Sequence, residues 1–438
     1  MFTSTHLLKQ RRFFPLFATQ LFNAFNDNLY KNAMVLFVVY SVYNSEAAEA
    51  RFSAIASGVF IIPFFLLSAV AGQLADMRDK AAIIRRVKLA EIGIMAVGGT
   101  GLIMAWQGFL TESVAIPLML LGLFAMGIHS TFFGPIKYAI LPQHLKREEV
   151  LSGTGLVEAG TYIAILLGTI VAGYISAEWA AFAVFTIAIL GYLTSRSVPA
   201  APPLIENQPV DWHILRSSIA LVRNTMHQRE VFYAILAISF FWTIGAVLFI
   251  QFPPLAKNVL FASKEVASLF LVIFSVGVAI GSVAINALLK GEVSARYGPI
   301  SVIVMGGFVA AFYFVCRAWE QNVHGTHLMG VAEFVSQPLA PLVLATLLLI
   351  AIAGGMFVVP LYAFLTTKCD PSQAARVVAA NNIVNSGAMV GGSLLAVGLS
   401  SAGVPIVEQL LLSAAMCLIS AWLGARLHKA EKLALSAA

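Results

Sequence analysis

Long runs of apolar residues, each broken by a short polar loop, recur from one end of the 438-residue chain to the other. A helix needs ~20 apolar residues to cross the hydrocarbon core of a bilayer, and runs of that length fall at about 13–43, 52–75, 84–106, 113–139, 150–176 and 179–197. Six more fall at about 229–252, 265–289, 298–318, 340–364, 374–400 and 405–427. The pattern predicts an all-α membrane protein with twelve transmembrane helices in two six-helix halves. The longest polar connection, 198–228, opens on Pro199, Pro202 and Pro203 and carries Arg216 and Arg223. It reads as a cytoplasmic linker between an N-terminal bundle, 1–197, and a C-terminal bundle, 229–438.

Composition agrees, with 59% hydrophobic residues, 11% charged residues and a mean hydropathy of +0.87. Such a chain cannot fold as a soluble domain. Cytoplasmic loops hold the excess of lysine and arginine. On the predicted spans one side receives Lys9, Arg11, Arg12, Arg78, Lys80, Arg85, Arg86, Lys88, Lys146, Arg147, Arg196, Arg216, Arg223, Arg229, Lys290, Arg296, Lys368, Arg376, Arg426, Lys429 and Lys432, while the other receives only Arg51, Lys257, Lys264 and Arg317. Both termini are therefore expected in the cytoplasm. The first span, too long for a signal-peptide core, is expected to act as its own insertion signal. This bias also explains the formal charge of +6, so nucleic acid is not an expected partner. Cys316, Cys369 and Cys417 are scattered, and the eight histidines fall in no metal-ligand spacing. No phosphate loop and no nucleophile–base pair is seen, so neither a cofactor nor an enzyme is expected.

The polar residues inside the spans carry the chemistry. Asp27 and Lys31 lie one helical turn apart in the first span, among Asn23, Asn26, Asn28 and Asn32. A charge at bilayer depth costs ~2.5–3.5 kcal/mol, so this face should line a cavity. Lys137 lies near the inner end of span four, where snorkelling and a cavity position are both open; Glu91, near a helix start, reads as structural or interfacial. Glu158 adds a carboxylate in span five, and Gln251, Asn381, Asn382 and Asn385 add amides in spans seven and eleven. A carboxylate with an ammonium among apolar surfaces suits a zwitterionic amphiphile better than a sugar. Small-residue ladders, Gly160/Ala164/Gly168, Gly277/Gly281 and Gly387/Gly391, would allow helices to part for an acyl chain, though such ladders commonly serve packing.

The segment Gly72-Gln73-Leu74-Ala75-Asp76-Met77-Arg78-Asp79-Lys80, followed by Arg85 and Arg86, resembles the gating loop of the major facilitator superfamily. Gly72 would permit close helix contact, and Asp76 would accept hydrogen bonds beside Arg78 and Arg85. Asp79 stands where that pattern has glycine. Four further segments resemble the bacterial lysophospholipid transporter family, LplT: Gln20 to Asn28, Gly134 to Tyr138, Glu158 to Gly168 and Gly354 to Leu361. Ser239 to Val247 and Ala379 to Asn385 are similar to the transporter half of fused transporter–acyltransferases, whereas the stand-alone branch carries arginine where this chain has Phe249.

The resemblance implies movement of lysophosphatidylethanolamine and related lysolipids from the outer to the inner leaflet of a bacterial inner membrane, for reacylation. The chain carries no acyltransferase motif, so any acyltransferase partner is expected to be a separate chain on the cytoplasmic side; a monomer is expected. The family's embedded aspartate and lysine fall on Asp27 and Lys137. The expected site is Asp27 on the amine, Lys137 on the phosphate with Tyr138 beside it, Lys31 and Asn23 near Asp27, and Glu158, Asn381 and Asn385 completing the polar lining. A proton-coupled exporter of drugs or other amphiphiles, using Asp27 or Glu158 as its proton carrier, is the alternative left open.

Overall fold

The computed structural model describes residues 4–146, 149–203, 212–289, 294–322, 327–367 and 374–437. The side chains of Asp76, Tyr138 and Glu158 lie outside the described set, as do Arg147, Lys290, Lys368, Cys369 and His324. Twelve long helices are present among the described residues. They are α1 (Phe14–Phe37), α2 (Glu46–Met77), α3 (Lys80–Trp106), α4 (Ile116–Ala139), α5 (Val150–Tyr174), α6 (Ala177–Ser195), α7 (Arg229–Asn258), α8 (Lys264–Leu289), α9 (Gly298–Asn322), α10 (Ala340–Thr367), α11 (Ala374–Ser401) and α12 (Ile406–Ala437).

Ten of the twelve are long and apolar enough by composition to cross a membrane. The two others are α1, whose polar run Asn23 to Asn32 lowers its hydropathy, and α5, which is apolar over Ile163–Tyr174. The protein is a multi-pass membrane protein.

Contacts divide the chain into two units, the first comprising residues 1–37 and 62–217 and the second 38–61 and 218–438. Residues 38–61, which precede the linker in sequence, thus cluster with the C-terminal helices, and specific bonds explain why. Glu49, fully buried, pairs with Lys257 at 2.6 Å. Lys257 Nζ also donates to the carbonyls of Val39 and Tyr43, at 2.7 and 2.9 Å. Those carbonyls belong to or adjoin a π-helical turn, Val38–Val42, where the regular ladder is broken and acceptors are left over. Glu46 accepts the backbone N–H of Ile406, satisfying a donor at the start of α12. The unit boundary within α2 falls beside Pro63, which has no N–H to contribute to the helix ladder.

In the first unit α1 packs on α5 and α6, and α3 packs on α4 and α6. Tyr30 locks α1 to its neighbours: its hydroxyl donates to the Met119 carbonyl at 2.8 Å, and a Cβ at either Gly98 or Gly122 would overlap its ring or hydroxyl. In the second unit α8 packs on α10, α9 on α10 and α12, and α7 on α11 and α12. Two of the three small-residue ladders are occupied, whereas a Cβ at Gly391 would meet nothing within 4 Å among the described residues. Gly160 and Gly168 face Phe17, Gln20 and the backbone of Phe25 on α1, while Gly277 and Gly281 face the α10 backbone at Leu348 and Ile352. These faces serve close helix packing.

At the basic end of the first unit the gating segment takes a definite form. Asp79 caps α3, accepting from the N–H of Ala82 at 3.1 Å and of Ala201 at 3.3 Å. Lys80 N–H donates to Ala201 O, and Arg85 to Val198 O at 3.3 Å. A carboxylate at position 79 is thus the tie that holds segment 198–201 onto α3, which glycine could not supply. Val198 and Ala201 are buried in an apolar cluster with Phe13, Ile84, Phe133, Ile136 and Leu145. Arg78 is exposed, and a Cβ at Gly72 would meet nothing within 4 Å among the described residues, so Gly72 is not a close-contact glycine here.

Candidate substrate site

Within the first unit α1, α2, α4 and α5 enclose a cavity of about 200 Å³. Its polar wall is Gln20, Asn23, Asp27 and Asn28 from α1, Ser130 and Lys137 from α4 and Thr161 from α5; Phe64, Phe133 and Ile165 supply apolar surface. The spacing of the α1 residues follows from helix geometry, since positions 20, 23, 24, 27 and 28 share one face.

Asp27 Oδ2 accepts from Ser130 Oγ at 2.6 Å and from Asn23 Nδ2 at 3.2 Å, and Oδ1 is buried without a hydrogen-bond partner among the described residues. Side chains on a helix lean toward its N-terminus, which carries this carboxylate over Asn23. Lys31 does not line the cavity. Lys137 does, so of the two positions open to it the structure shows the cavity wall, half-buried near the end of α4. Of the other α1 asparagines, Asn28 lines the cavity while donating to the Ala24 carbonyl of its own helix, and Asn32 donates to Thr169 at 3.1 Å.

Behind the cavity wall lies a second layer. Asn23 Oδ1 accepts from Lys88 Nζ at 3.3 Å, and Lys88 pairs with Glu91 one turn along α3. Glu91 also accepts from Asn26 at 2.7 Å and lies 3.3 Å from His129 Nε2. Lys88 and Glu91 are fully buried. Room for the lysine is made on α6, where a Cβ at Gly191 would meet Lys88 Cε at 2.8 Å. The sequence places Glu91 near a helix start and counts Lys88 with the cytoplasmic cations, whereas the structure buries Lys88 in an ion pair; His129 carries no expectation. The helix begins at Lys80, so Glu91 lies about 16 Å along its axis at 1.5 Å per residue. The signal was present as an opposite-charge pair three residues apart within one apolar span.

In the second unit Asn381 is fully buried with neither side-chain polar atom hydrogen-bonded among the described residues, Asn385 Oδ1 likewise has no partner among them, and Asn382 is exposed. Gln251 donates to Gln409 at 2.9 Å. Phe249 sits edge-on to Phe252 and Phe274, so an aromatic cluster fills the position that carries arginine in the stand-alone branch.

Residues 16–393 match the family model of the Major Facilitator Superfamily. The chain belongs to this superfamily. Its relatives there include the lysophospholipid transporter LplT of Serratia proteamaculans, 26% identical over 412 residues that cover 91% of this chain and 90% of that protein. The LplT of Yersinia enterocolitica is 27% identical over 409 residues, with 91% and 90% covered. Solved major facilitator folds superpose over nearly the whole chain. The peptide-family transporter PepTSo gives a TM-score of 0.69 at 11% identity, covering 97% of this chain and 98% of its own. A D-xylose–proton symporter gives 0.67 at 12% identity, covering 94% and 97%. These relatives and folds are transporters, and this member of the superfamily is a transporter, not an enzyme.

Proposed function

We propose that this protein is a lysophospholipid flippase, moving lysophosphatidylethanolamine and related lysolipids from the outer to the inner leaflet of a bacterial inner membrane by alternating access. The observation that carries the reading is one cavity whose wall presents both the Asp27 carboxylate, with an oxygen unpaired, and the Lys137 ammonium. An amine finds an anion in Asp27, and a phosphate finds a cation in Lys137. The cavity is smaller than the ~300–1,000 Å³ sites of drug-sized ligands, which suits a headgroup whose acyl chain lies elsewhere. The LplT relatives support the lysolipid class.

On this reading Asn23 and Ser130 orient Asp27, and Tyr138, Glu158, Asn381 and Asn385 contribute polar lining at other stages of the cycle. The segment Gly72, Asp76, Arg78 and Arg85 gates the basic end, which faces the cytoplasm with both termini. Reacylation of the delivered lipid falls to a separate acyltransferase on that side, and the transporter acts as a monomer.

The test is reconstitution into liposomes with labelled lysolipids of several headgroups, with and without ion gradients. Inward flipping of lysophosphatidylethanolamine without any imposed gradient supports the reading. Efflux of unrelated amphiphiles driven by a pH gradient, with no lysolipid movement, would replace it with an exporter.

A further inference from the structure

The polar connection between α6 and α7 holds a helix that has no task in transport as described so far. It runs from Ile214 to Thr225, twelve residues, or ~18 Å at 1.5 Å per residue. That is too short to cross a hydrocarbon core of ~30 Å. Its exposure is the reverse of that of a helix seated on a protein core. The residue it buries is Ser218, whose Oγ has no hydrogen-bond partner among the described residues. The large apolar side chains are outside: Leu215 is 60% and Ile219 63% exposed, and Trp212, two residues before the helix, is 68% exposed. Leu215 and Ile219 lie one turn apart on one face. Arg216 and Arg223, also exposed, flank Ile219 at three residues before and four after it, on the same side. A surface helix bathed in water turns its apolar stripe inward, and among the described residues no other helix packs extensively along this one.

What covers that face follows from its place in the chain and from its charge. Met226, His227 and Gln228 separate the helix from α7, a span long and apolar enough to cross a membrane, which begins at Arg229. Those few residues reach at most ~15 Å, so the helix is held at the membrane surface where α7 enters. From Trp212 to Arg229 the chain carries three arginines, Arg216, Arg223 and Arg229, and no carboxylate. Apolar side chains on such a helix sink into the acyl boundary, an indole sits at headgroup level, and a guanidinium matches the geometry of phosphate. Every phospholipid offers phosphate; three uncompensated positive charges favour the lipids with net negative charge. We infer that the helix Ile214–Thr225 lies in the plane of the membrane surface, with Leu215 and Ile219 in the acyl boundary, and that Arg216 and Arg223 bind the headgroups of anionic phospholipids. A linker pinned in this way stays at the surface throughout a transport cycle.

The test uses the full chain with Cys316, Cys369 and Cys417 replaced by alanine and a nitroxide label on Ile219→Cys, in nanodiscs of phosphatidylethanolamine alone or mixed with phosphatidylglycerol. The label should be relaxed more strongly by oxygen, which concentrates in lipid, than by a water-soluble nickel chelate, and it should lie deeper when phosphatidylglycerol is present. The phosphatidylglycerol fraction needed for half of that shift should rise about fivefold in Arg216→Gln or in Arg223→Gln, and further in the double variant. High salt should weaken the shift in the same direction. Leu215→Cys, labelled likewise, gives the same reading if the first variant folds poorly. A label open to the nickel chelate in both lipids overturns the proposal. So does a label shielded from both reagents, which would mean that a second copy of the chain covers the face. A label equally deep in both lipids and indifferent to the two arginines overturns the recognition of anionic headgroups.

Discussion

In the first contact unit Lys88, Glu91 and His129 sit among apolar helices in contact with one another and are linked through Asn23 to Asp27 at a cavity wall. In the second, a buried ion pair, Glu49 with Lys257, is engaged on backbone carbonyls at a helix irregularity, while Phe249 and Phe252 of α7 both meet Phe274 of α8, and Phe252 also meets Phe270. The same kind of interaction therefore serves different ends. One pair is tied to a carboxylate with an open oxygen, where a ligand can change the charge balance. The other has its acceptors and donors closed among protein groups and holds residues 38–61 to the C-terminal helices. Pseudo-equivalent halves of a transporter need not share their chemistry.

The largest expected effect comes from breaking the first pair. Lys88→Met leaves Glu91 buried without its cation and should cost ~3–5 kcal/mol of stability, read as a lowered thermal midpoint, and should abolish uptake. Adding Glu91→Leu removes the stranded charge and should restore much of the stability but none of the uptake. A single variant as stable as wild type would show that the pair is not closed. Glu49→Gln gives the contrasting case. The cost should be ~3 kcal/mol or less because Lys257 keeps two carbonyls, and faster hydrogen exchange should appear in residues 38–61 while the first unit is unchanged.

Packing effects come next. Gly281→Ala places a methyl group against the Ile352 backbone and should cost ~1–3 kcal/mol, whereas Gly391→Ala, which faces open space, should be neutral or stabilising by up to ~1 kcal/mol. Equal midpoints for the two would contradict the close α8–α10 contact. Asp79→Ala should lower stability by ~1 kcal/mol through loss of the α3 cap.

The smallest effect is a pH dependence at the basic end. Burial holds His144 below the usual imidazole range, and its ring accepts no proton as readily as in the unfolded chain. Stability is therefore lost as pH falls below about 6.5, where the unfolded imidazole charges. Glu149 is also held low, first by the Lys146 N–H and then by Arg12, so its contribution persists until pH falls through its own depressed range. Thermal melts of wild type and His144→Asn across this range should converge at acid pH.

Asp27 and Lys137 were conspicuous in sequence because a charge inside an apolar run has a known cost, and the residues around them sit at helical spacing. Twelve helices followed from run length alone. Glu91 reads as structural or interfacial and Lys88 as a cytoplasmic cation because the predicted third span begins four residues late, which moves both toward the surface. His129 and Ser130 depend on α4 facing α1, which no spacing within one helix reveals. Residues 38–61 join the second unit through Glu49 and Lys257, a contact between residues more than 200 positions apart.

The central claim is that Asp27 reads the amine and Lys137 the phosphate. The direct measurement is liposome uptake of lysophosphatidylethanolamine and lysophosphatidylglycerol by wild type, Asp27→Asn and Lys137→Gln. A charged hydrogen bond is worth ~1.5–3 kcal/mol, so Asp27→Asn should cut uptake of the amine lipid by about ten- to a hundredfold and spare the glycerol lipid. Lys137→Gln should cut both. Near-wild-type uptake of both lipids by both variants, or equal losses for the two lipids in Asp27→Asn, would contradict the account.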